Sequence, residues 1–232
     1  MPIYRQIADV LEAEILESRD IGKPWSELAL SSRFGVNRHT LRRAVDVLVS
    51  GGLVRRQRGV GIHVLPGAID YKLSPATRFT MMIEDSGHSA DTRILRKTVT
   101  CATDDIAQQL GLEAGDQMIA IEAVRSVDEQ PFCVQSQFLP YAIVPYVAAD
   151  YNEGSLHGFL ADRGGIKLGR LGSMISTMLP DEGDAQLLRI DPSQPVLQVR
   201  SLNMDTATGR PVEYCVTRFR GDRLELRVQF PG

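Results

Sequence analysis

Cysteine is scarce in this chain, and the few copies form no recognisable pattern. The 232 residues include three cysteines, Cys101, Cys133 and Cys215, and no two of them make a CxxC pair. An odd number of cysteines without paired spacing indicates neither a disulfide framework nor a zinc ribbon. We therefore expect buried or edge thiols, no metal site and no cofactor.

Long apolar runs are also absent. No uninterrupted apolar stretch reaches the roughly 18 to 20 residues that span a bilayer. The opening residues, MPIYRQIADVLEAEI, carry acidic side chains where a secretory signal has an apolar block. No Ser/His/Asp order or pair of carboxylates indicates an active site. We therefore expect a cytoplasmic protein, and the residues give no sign of catalysis.

The composition is that of an ordinary globular protein, with 43% hydrophobic and 24% charged residues. The length allows one large domain or two modest ones. The net charge of -3 is unevenly distributed. Residues 1–66 carry ten Lys and Arg against seven acids, or +3, which leaves 16 against 22, or -6, for the remainder. A basic first module on an acidic body indicates that one end meets a polyanion.

Hydrophobic spacing predicts three helices in the basic module. Apolar residues from Ile3 to Leu16 recur at helical intervals. Ser26 is a suitable N-cap for a second helix, which Gly35 ends. Asn37 then caps a third helix, so the second and third helices are joined by a tight turn, as in a helix-turn-helix. The predicted buried stripe of the third helix comprises Leu41, Ala44, Val45, Leu48 and Val49.

Two short strands follow the third helix. The segments LVRRQ and IHV are separated by residues 58–61, RGVG, which predicts a two-stranded wing. Beyond residue 67 the pattern changes to strands that alternate with short helices and are joined by turns. Such an order predicts a mainly antiparallel sheet with helices packed on one side, and so an α+β fold.

Two parts of the sequence resemble known protein domains. PIYRQIADVLEAEI and SELALSSRFGVNRHTLRRAVDVLVSGGLVRRQRGVGIHV resemble the winged helix-turn-helix domain of the GntR family of bacterial transcription regulators. Residues 70–232 resemble the effector-binding UTRA domain of the HutC subfamily, which has a chorismate-lyase-like fold, through RFTMMIEDSGHSADTRIL, GSLHGFL and PVEYCVTRFRGDRLEL. We accordingly predict a DNA-binding domain at 1–67, a linker at 68–75 and a UTRA domain at 76–232.

The resemblance implies a homodimer that binds double-stranded operator DNA of two-fold symmetry. It also implies a cytoplasmic protein that is associated with the nucleoid when it is bound to DNA. Within the subfamily, VNRHTLRRA, GSLHGFL and EYCVTRFRGDRLEL look most like PhnF-type regulators of phosphonate metabolism. A small anionic effector would change the affinity for DNA. In this family the effector usually releases a repressor from its operator. Two alternatives remain open: a regulator that senses a sugar phosphate or a histidine-pathway acid, and a chorismate-lyase-like enzyme.

The start of the third helix is the part that enters a major groove in a helix-turn-helix protein. Arg38 and Arg42 are suited to bidentate contacts with guanine. The glycines of the wing would let its backbone approach the duplex, and Arg58 would enter the minor groove. Leu28 replaces an arginine that the family usually has in the second helix. The predicted DNA-binding residues are Arg5, Asn37, Arg38, His39, Thr40, Arg42, Arg43, Arg58, Gly59 and Gly61.

The resemblance also implies an effector site. A strand arginine, helix-start and loop hydroxyls, and a C-terminal glutamate hold the ligand in this subfamily. Arginine opposite donors at a helix N-terminus suits a phosphonate or phosphate, and Glu213 would meet an amine. Phe219 replaces the usual tyrosine. The implied effector-binding residues are Ser89, Thr92, Arg125, Gln135, Ser155, Glu213, Arg218 and Phe219.

Overall fold

The chain folds into two compact units, residues 1–69 and residues 70–232. A computed structural model describes residues 1–17, 24–50, 53–57, 60–64, 69–72, 79–85 and 87–228. Among these described residues, no helix is both long and apolar enough to cross a membrane.

Three helices and a two-stranded wing form the N-terminal unit, as the sequence predicts. They are α1 (Ile3–Glu17), α2 (Glu27–Phe34), α3 (Arg38–Ser50), β1 (Val54–Gln57) and β2 (Gly61–Val64). The Ser26 hydroxyl accepts a hydrogen bond from the Ala29 amide at 3.4 Å, and Gly35 ends α2 with φ of 64°. Asn37 Oδ1 accepts from the Thr40 amide at 2.8 Å, which caps α3.

The core of this unit lies between α1 and α3. Leu11, Leu41 and Leu48 are fully buried there, together with Ala44 and Val45. The predicted apolar stripes are wider than the faces that become covered. Exposed members of the stripes are Ile3, Val10 and Val49. The predicted burial of Val49 was wrong, because periodicity identifies the apolar side of a helix and not how much of that side a neighbour covers.

The wing is attached to the start of α2 by its own backbone. The Trp25 amide donates to the Ile62 carbonyl at 2.6 Å, and the Ile62 amide donates to the Trp25 carbonyl at 2.9 Å. Gly61 has φ of 128°, and a Cβ placed on it would lie 2.6 Å from the Trp25 carbonyl oxygen. Glycine at this position therefore allows the strand to approach Trp25 closely.

A six-stranded antiparallel sheet organises the C-terminal unit, and the predicted α+β class is confirmed. Its strands are β4 (Ala90–Cys101), β5 (Gln117–Val127), β6 (Gln130–Pro140), β7 (Leu168–Met178), β8 (Val196–Asp205) and β9 (Pro211–Arg220). Their spatial order is β4-β5-β6-β9-β8-β7. The short strands β3 (Ile69–Lys72) and β10 (Leu224–Arg227) pair separately, so part of the segment predicted as a linker is a strand.

Five helices lie within the described residues of this unit. They are α4 (Phe79–Asp85), α5 (Asp104–Leu110), α6 (Pro145–Asp150), α7 (Leu156–Gly164) and α8 (Glu182–Leu188). The segments DDIAQQLGL, SLHGFLADRG and DEGDAQLLRI predict α5, α7 and α8, whereas α4 and α6 were not predicted. Ile121 and Leu139 of the sheet form one core cluster with Val147, Tyr151 and Leu160.

The cysteines agree with the expectation of buried or edge thiols. Cys133 and Cys215 are buried, Cys101 is exposed at the end of β4, and all three are free. Burial raises the pKa of the Cys133 thiol to about 12 and also raises the pKa of Cys215. Both buried thiols are therefore protonated at neutral pH.

Candidate functional site

The first half of α3 presents a basic surface. Arg38, His39, Arg42 and Arg43 are exposed, whereas Thr40 is half-buried because its amide closes the cap at Asn37. The structure thus brings the predicted reading residues together on one helix end. Leu28, on α2, is 60% exposed, so no packing role accounts for the position where the family usually has arginine.

Glu27 organises the arginines beside this surface. Arg42 Nε lies 3.2 Å from one oxygen of Glu27, and Arg56 Nε lies 3.5 Å from the other. Arg56 also forms an ion pair with Asp46 and donates to the Arg42 carbonyl at 2.7 Å. Arg56 therefore joins the wing to α3.

A second basic group lies where α1 and α3 meet. The Arg43 guanidinium stacks on the Tyr4 ring at 4.2 Å. Arg5 and Arg43 share a shallow groove with Asp46 and Ser50. The predicted contacts of Arg5 and Arg43 thus lie on one surface. Arg58 and Gly59 lie outside the described residues, and Gly61 has the packing role at Trp25 given above.

The C-terminal unit contains a pocket on one face of its sheet, of about 60 Å³. The pocket is several times larger than the roughly 10 to 15 Å³ that one water molecule needs. Five of the predicted effector residues line it. They are Arg125, Gln135, Ser155, Glu213 and Phe219.

Two arginines reach this pocket from opposite parts of the sheet, Arg125 from β5 and Arg170 from β7. Arg125 is 8% exposed. Its guanidinium donates to the Thr80 hydroxyl at 2.7 Å and stacks on the Phe79 ring at 4.2 Å. Within the described part of the chain its Nε has no hydrogen-bond partner. Burial raises the pKa of the Tyr71 phenol, although Arg170 beside it opposes the shift.

The N-terminus of α7 opens toward the same pocket. Ser155 caps this helix, and its hydroxyl accepts from the Gly158 amide at 3.2 Å. Ser155, Leu156 and His157 all line the pocket. First-turn amides of a helix carry a partial positive charge, so this end of the pocket favours an anion.

Glu213 lies at the bottom of the pocket and is completely buried. Its carboxylate accepts hydrogen bonds from Gln137 at 2.8 Å, Asn203 at 2.7 Å and His157 at 2.7 Å. Burial opposes ionisation of Glu213, but His157 and the two amides outweigh it and hold its pKa below the usual value.

The other two predicted residues that line the pocket have structural partners. Gln135 donates to the Thr217 hydroxyl at 3.3 Å. The Phe219 ring packs against Tyr71 and Phe132, with ring centroids 5.7 Å apart in both pairs. Phe219 thus forms the apolar wall of the pocket, a role for which a hydroxyl is unnecessary.

Three predicted effector residues lie elsewhere. Ser89 donates through its amide and hydroxyl to Asp128, at the β5–β6 turn. Thr92 is in strand β4 and not in a loop. Arg218 follows Thr217 on β9, so its side chain points to the opposite sheet face, where it pairs with Asp184. Arg218 and Phe219 cannot both face the pocket, because successive side chains of a strand alternate.

Several pocket residues were missed by the sequence reasoning. They are Gln137, His157, Arg170, Ser201, Asn203, Cys215 and Thr217. On β9 the available signal was the alternation of side chains along a strand. Cys215 and Thr217 lie two and four residues after Glu213 and therefore face the same side of the sheet. Arg170 had no such signal, since β7 is far from β5 in the chain. Among the described residues, no group of three or more His, Cys, Asp or Glu could hold a metal ion.

The comparisons with known families and proteins agree with this two-unit architecture. The model of the family described as bacterial regulatory proteins, gntR family, matches residues 3–64, and the UTRA domain model matches residues 85–225. The chain is 34% identical over 227 residues to the probable transcriptional regulator PhnF of Escherichia coli K12, covering 97% of this chain and 94% of that protein. The chain belongs to the GntR family. It is a transcription regulator of the HutC type.

Other relatives of this GntR-family regulator share the architecture. The mannosyl-D-glycerate transport/metabolism system repressor MngR of Escherichia coli K12 is 28% identical, over 98% of this chain and 95% of MngR. The crystal structure of PhnF from Mycobacterium smegmatis superimposes with a TM-score of 0.70 at 26% identity, over 97% of this chain and 99% of that one. The relatives of the present chain are regulators and not enzymes, so the alternative that it is a chorismate-lyase-like enzyme receives no support.

Proposed function

We propose that this regulator is a homodimeric repressor of phosphonate uptake or metabolism genes. Its N-terminal unit binds double-stranded operator DNA of two-fold symmetry, and its C-terminal pocket binds a small phosphonate- or phosphate-like anion. The ligand favours a dimer arrangement that cannot engage both half-sites and so releases DNA, because a ligand shifts an equilibrium only by binding one state more tightly.

The exposed basic end of α3 supports the DNA-binding part of this proposal. Arg38, His39 and Arg42 lie on its first turns and have the donors that recognise guanine or phosphate. The backbone bridge between Ile62 and Trp25 fixes the wing beside α2. In a dimer, two such surfaces would contact half-sites about one helical turn apart.

The main support for effector binding is that two arginines, one of them buried, line one pocket. Arg125 and Arg170 line the pocket together with the N-terminus of α7. Guanidinium groups and helix-start amides are complementary to phosphonate and phosphate oxygens. The carboxylate of Glu213 points into the same space but is held by three donors of the protein.

The choice of a phosphonate rests on the 34% identity to PhnF over nearly the whole chain. The second candidate is a sugar phosphate or a sugar-derived acid, which is favoured by the 28% identity to MngR, a repressor named for mannosyl-D-glycerate. Both ligand classes bring an anionic group to the same arginines. They differ in the neutral part of the ligand.

Calorimetry with the full chain tests the proposal. Methylphosphonate, 2-aminoethylphosphonate, glucose 6-phosphate and urocanate would be titrated separately at fixed salt. We expect saturable binding of a phosphonate and weaker operator affinity in its presence, measured by fluorescence anisotropy. Binding of urocanate alone would contradict the phosphonate proposal, and binding of the sugar phosphate alone would favour the second candidate.

A further inference from the structure

The two edge strands of the six-stranded sheet, β4 and β7, differ in their charge. Charged residues are distributed along β4, namely Asp91, Arg93, Arg96 and Lys97. Charged side chains on an edge strand oppose its pairing with a strand of another chain, because their desolvation costs free energy. β4 is therefore a protected edge.

β7 has no such protection over most of its length. Among the described residues it pairs only with β8, so no strand lies along its outer side. The nine residues 171–179, LGSMISTML, include no charged residue and no proline. Their large apolar side chains are 40% to 60% exposed, and these belong to Leu171, Met174, Ile175, Met178 and Leu179. An uncharged and apolar edge of this length is suited to pairing with a strand of another chain.

The segment 171–179 is self-complementary about Ile175. In an antiparallel pair of two copies centred there, Leu171 would lie opposite Leu179. Ser173 would lie opposite Thr177, and Ile175 opposite its own copy. Apolar side chains thus meet apolar ones, hydroxyl meets hydroxyl, and the remaining pairs are uncharged. A two-fold interface requires such self-complementarity, because the same surface serves both copies.

The two ends of β7 have opposite charge. Lys167 precedes the strand, Asp181 and Glu182 follow it, and all three are exposed. Two copies that run in opposite directions bring the basic end of one beside the acidic end of the other. A parallel pair would instead bring like charges together. Charge complementarity therefore favours the antiparallel arrangement, which is the one with two-fold symmetry.

We propose that β7 is the dimerisation edge of this chain. Two copies pair antiparallel along residues 171–179 about a two-fold axis at Ile175, and their two sheets become continuous. This inference rests on the proposed homodimer and names its interface. Because β7 also carries Arg170 into the pocket, each copy would have its effector pocket beside this interface.

The oligomeric state of the full chain provides the first test, by analytical ultracentrifugation over a range of concentrations. We expect the wild type to be a dimer. Ile175→Lys should raise the dissociation constant of the dimer at least about tenfold, because two like charges would lie opposite each other at the centre of the interface.

Val99→Lys is the matched control. Val99 is 43% exposed on β4 and Ile175 is 41% exposed on β7, so the control adds the same charge to the other edge of the sheet. Its dimer dissociation constant should equal that of the wild type. Circular dichroism and thermal unfolding would verify that both lysine variants are folded.

Cysteine cross-linking tests the register and does not depend on the lysine variants. Residues directly opposite in an antiparallel pair have Cα atoms about 4.5 to 5.5 Å apart, which a disulfide can span. Cys101→Ser removes the exposed native thiol. In this background Ile175→Cys should form a disulfide-linked dimer on mild oxidation. Leu171→Cys should not, because eight residues of strand, about 27 Å, would separate it from its own copy.

The outcomes separate this inference from the proposed function. A wild-type dimer that Ile175→Lys leaves intact, or that Val99→Lys weakens equally, would overturn the inference, and so would a dimer in which Ile175→Cys does not cross-link. Another surface would then hold the two copies together, and the proposed homodimer would stand. A wild type that is monomeric at every concentration would instead refute the homodimer of the proposed function.

Discussion

Arg42 and Arg56 both contact Glu27, but their surroundings separate their roles. The Arg56 side chain is 35% exposed and has two further contacts, with Asp46 and with the Arg42 carbonyl. The Arg42 side chain is 65% exposed, and among the described residues its guanidinium contacts Glu27 alone. Arg42 can therefore turn toward DNA at small cost, whereas Arg56 holds the wing against α3.

Replacement of Arg42 by alanine should weaken specific operator binding by at least about 1 kcal/mol, because a base or phosphate contact is lost. Anisotropy titrations at several salt concentrations would measure this loss. Arg33→Ala is the matched control, since it removes the same charge from an arginine that pairs with Glu14. Equal losses in the two variants would show that Arg42 contributes only net charge.

Replacement of Arg125 by alanine should weaken methylphosphonate binding by about 1.5 to 3 kcal/mol, the usual contribution of a hydrogen bond to a charged group. Calorimetry on the full chain provides the measurement. Arg96→Ala is the control, because Arg96 is an exposed strand arginine that pairs with Glu122 outside the pocket. An unchanged affinity in Arg125→Ala would remove this residue from the effector site.

The family resemblance implied some of the pocket residues, but not all of them. Arg125, Ser155 and Glu213 were implied by the family resemblance, and the structure places all three in one pocket. His157 was passed over because a lone histidine on a short helix has no local pattern. It contacts Glu213, which is 56 residues away in the chain.

At the scale of elements, turn and cap residues determine where helices and strands begin. Ser26 and Asn37 cap α2 and α3, and Asp181 caps α8 by accepting from the Asp184 amide at 2.7 Å. The β5–β6 hairpin turns through Asp128 and Glu129, which have φ of 48° and 62°. Such local chemistry is visible in the sequence, and this is why the starts of α2 and α3 were predicted.

Gly61 offers an element-scale prediction. Gly61→Ala should destabilise the N-terminal unit by at least about 3 kcal/mol, because the added Cβ would meet the Trp25 carbonyl in a strained backbone region. Gly35→Ala should cost only about 1 kcal/mol, since Gly35 has φ of 64° and no atom within 4 Å of a Cβ. Urea unfolding followed by circular dichroism would compare them. Equal costs would contradict the packing role of Gly61.

At the scale of the whole molecule, the chain comprises two compact units with separate cores. The residues proposed to contact DNA belong to one unit and the pocket residues to the other. A ligand that binds only one unit stabilises that unit directly and the other only through coupling between them.

Differential scanning calorimetry should therefore show two unfolding transitions. Methylphosphonate at about one hundred times its dissociation constant should stabilise the C-terminal unit by about 2.7 kcal/mol. Operator DNA should raise the other transition. The Arg125→Ala variant provides the control, because it should lose the response to methylphosphonate and retain the response to DNA. A single transition that responds equally to both would indicate one cooperative unit.

Acid should selectively destabilise the C-terminal unit through Glu213. The pKa of Glu213 in the folded chain is lowered below its ordinary value of 4.5, so its contribution to stability is present above pH 4.5 and is lost as pH falls through the folded pKa. Glu213→Gln should be less stable at pH 7 and should lose less stability between pH 6 and pH 3. Urea midpoints at several pH values would measure this, and parallel losses in the two proteins would exclude the contribution.

The sequence by itself determined the helix-turn-helix, the wing, the antiparallel α+β class and the family, because these depend on local periodicity, caps and contiguous motifs. Only the tertiary structure decided which of the implied effector residues share a pocket. Because side chains alternate along β9, Arg218 lies on the sheet face opposite the pocket. The folding of the sheet places Arg170 and His157 in the same pocket as Arg125 and Glu213. Contacts between residues far apart in the chain leave no local pattern, so the composition of the pocket became evident only from the folded chain.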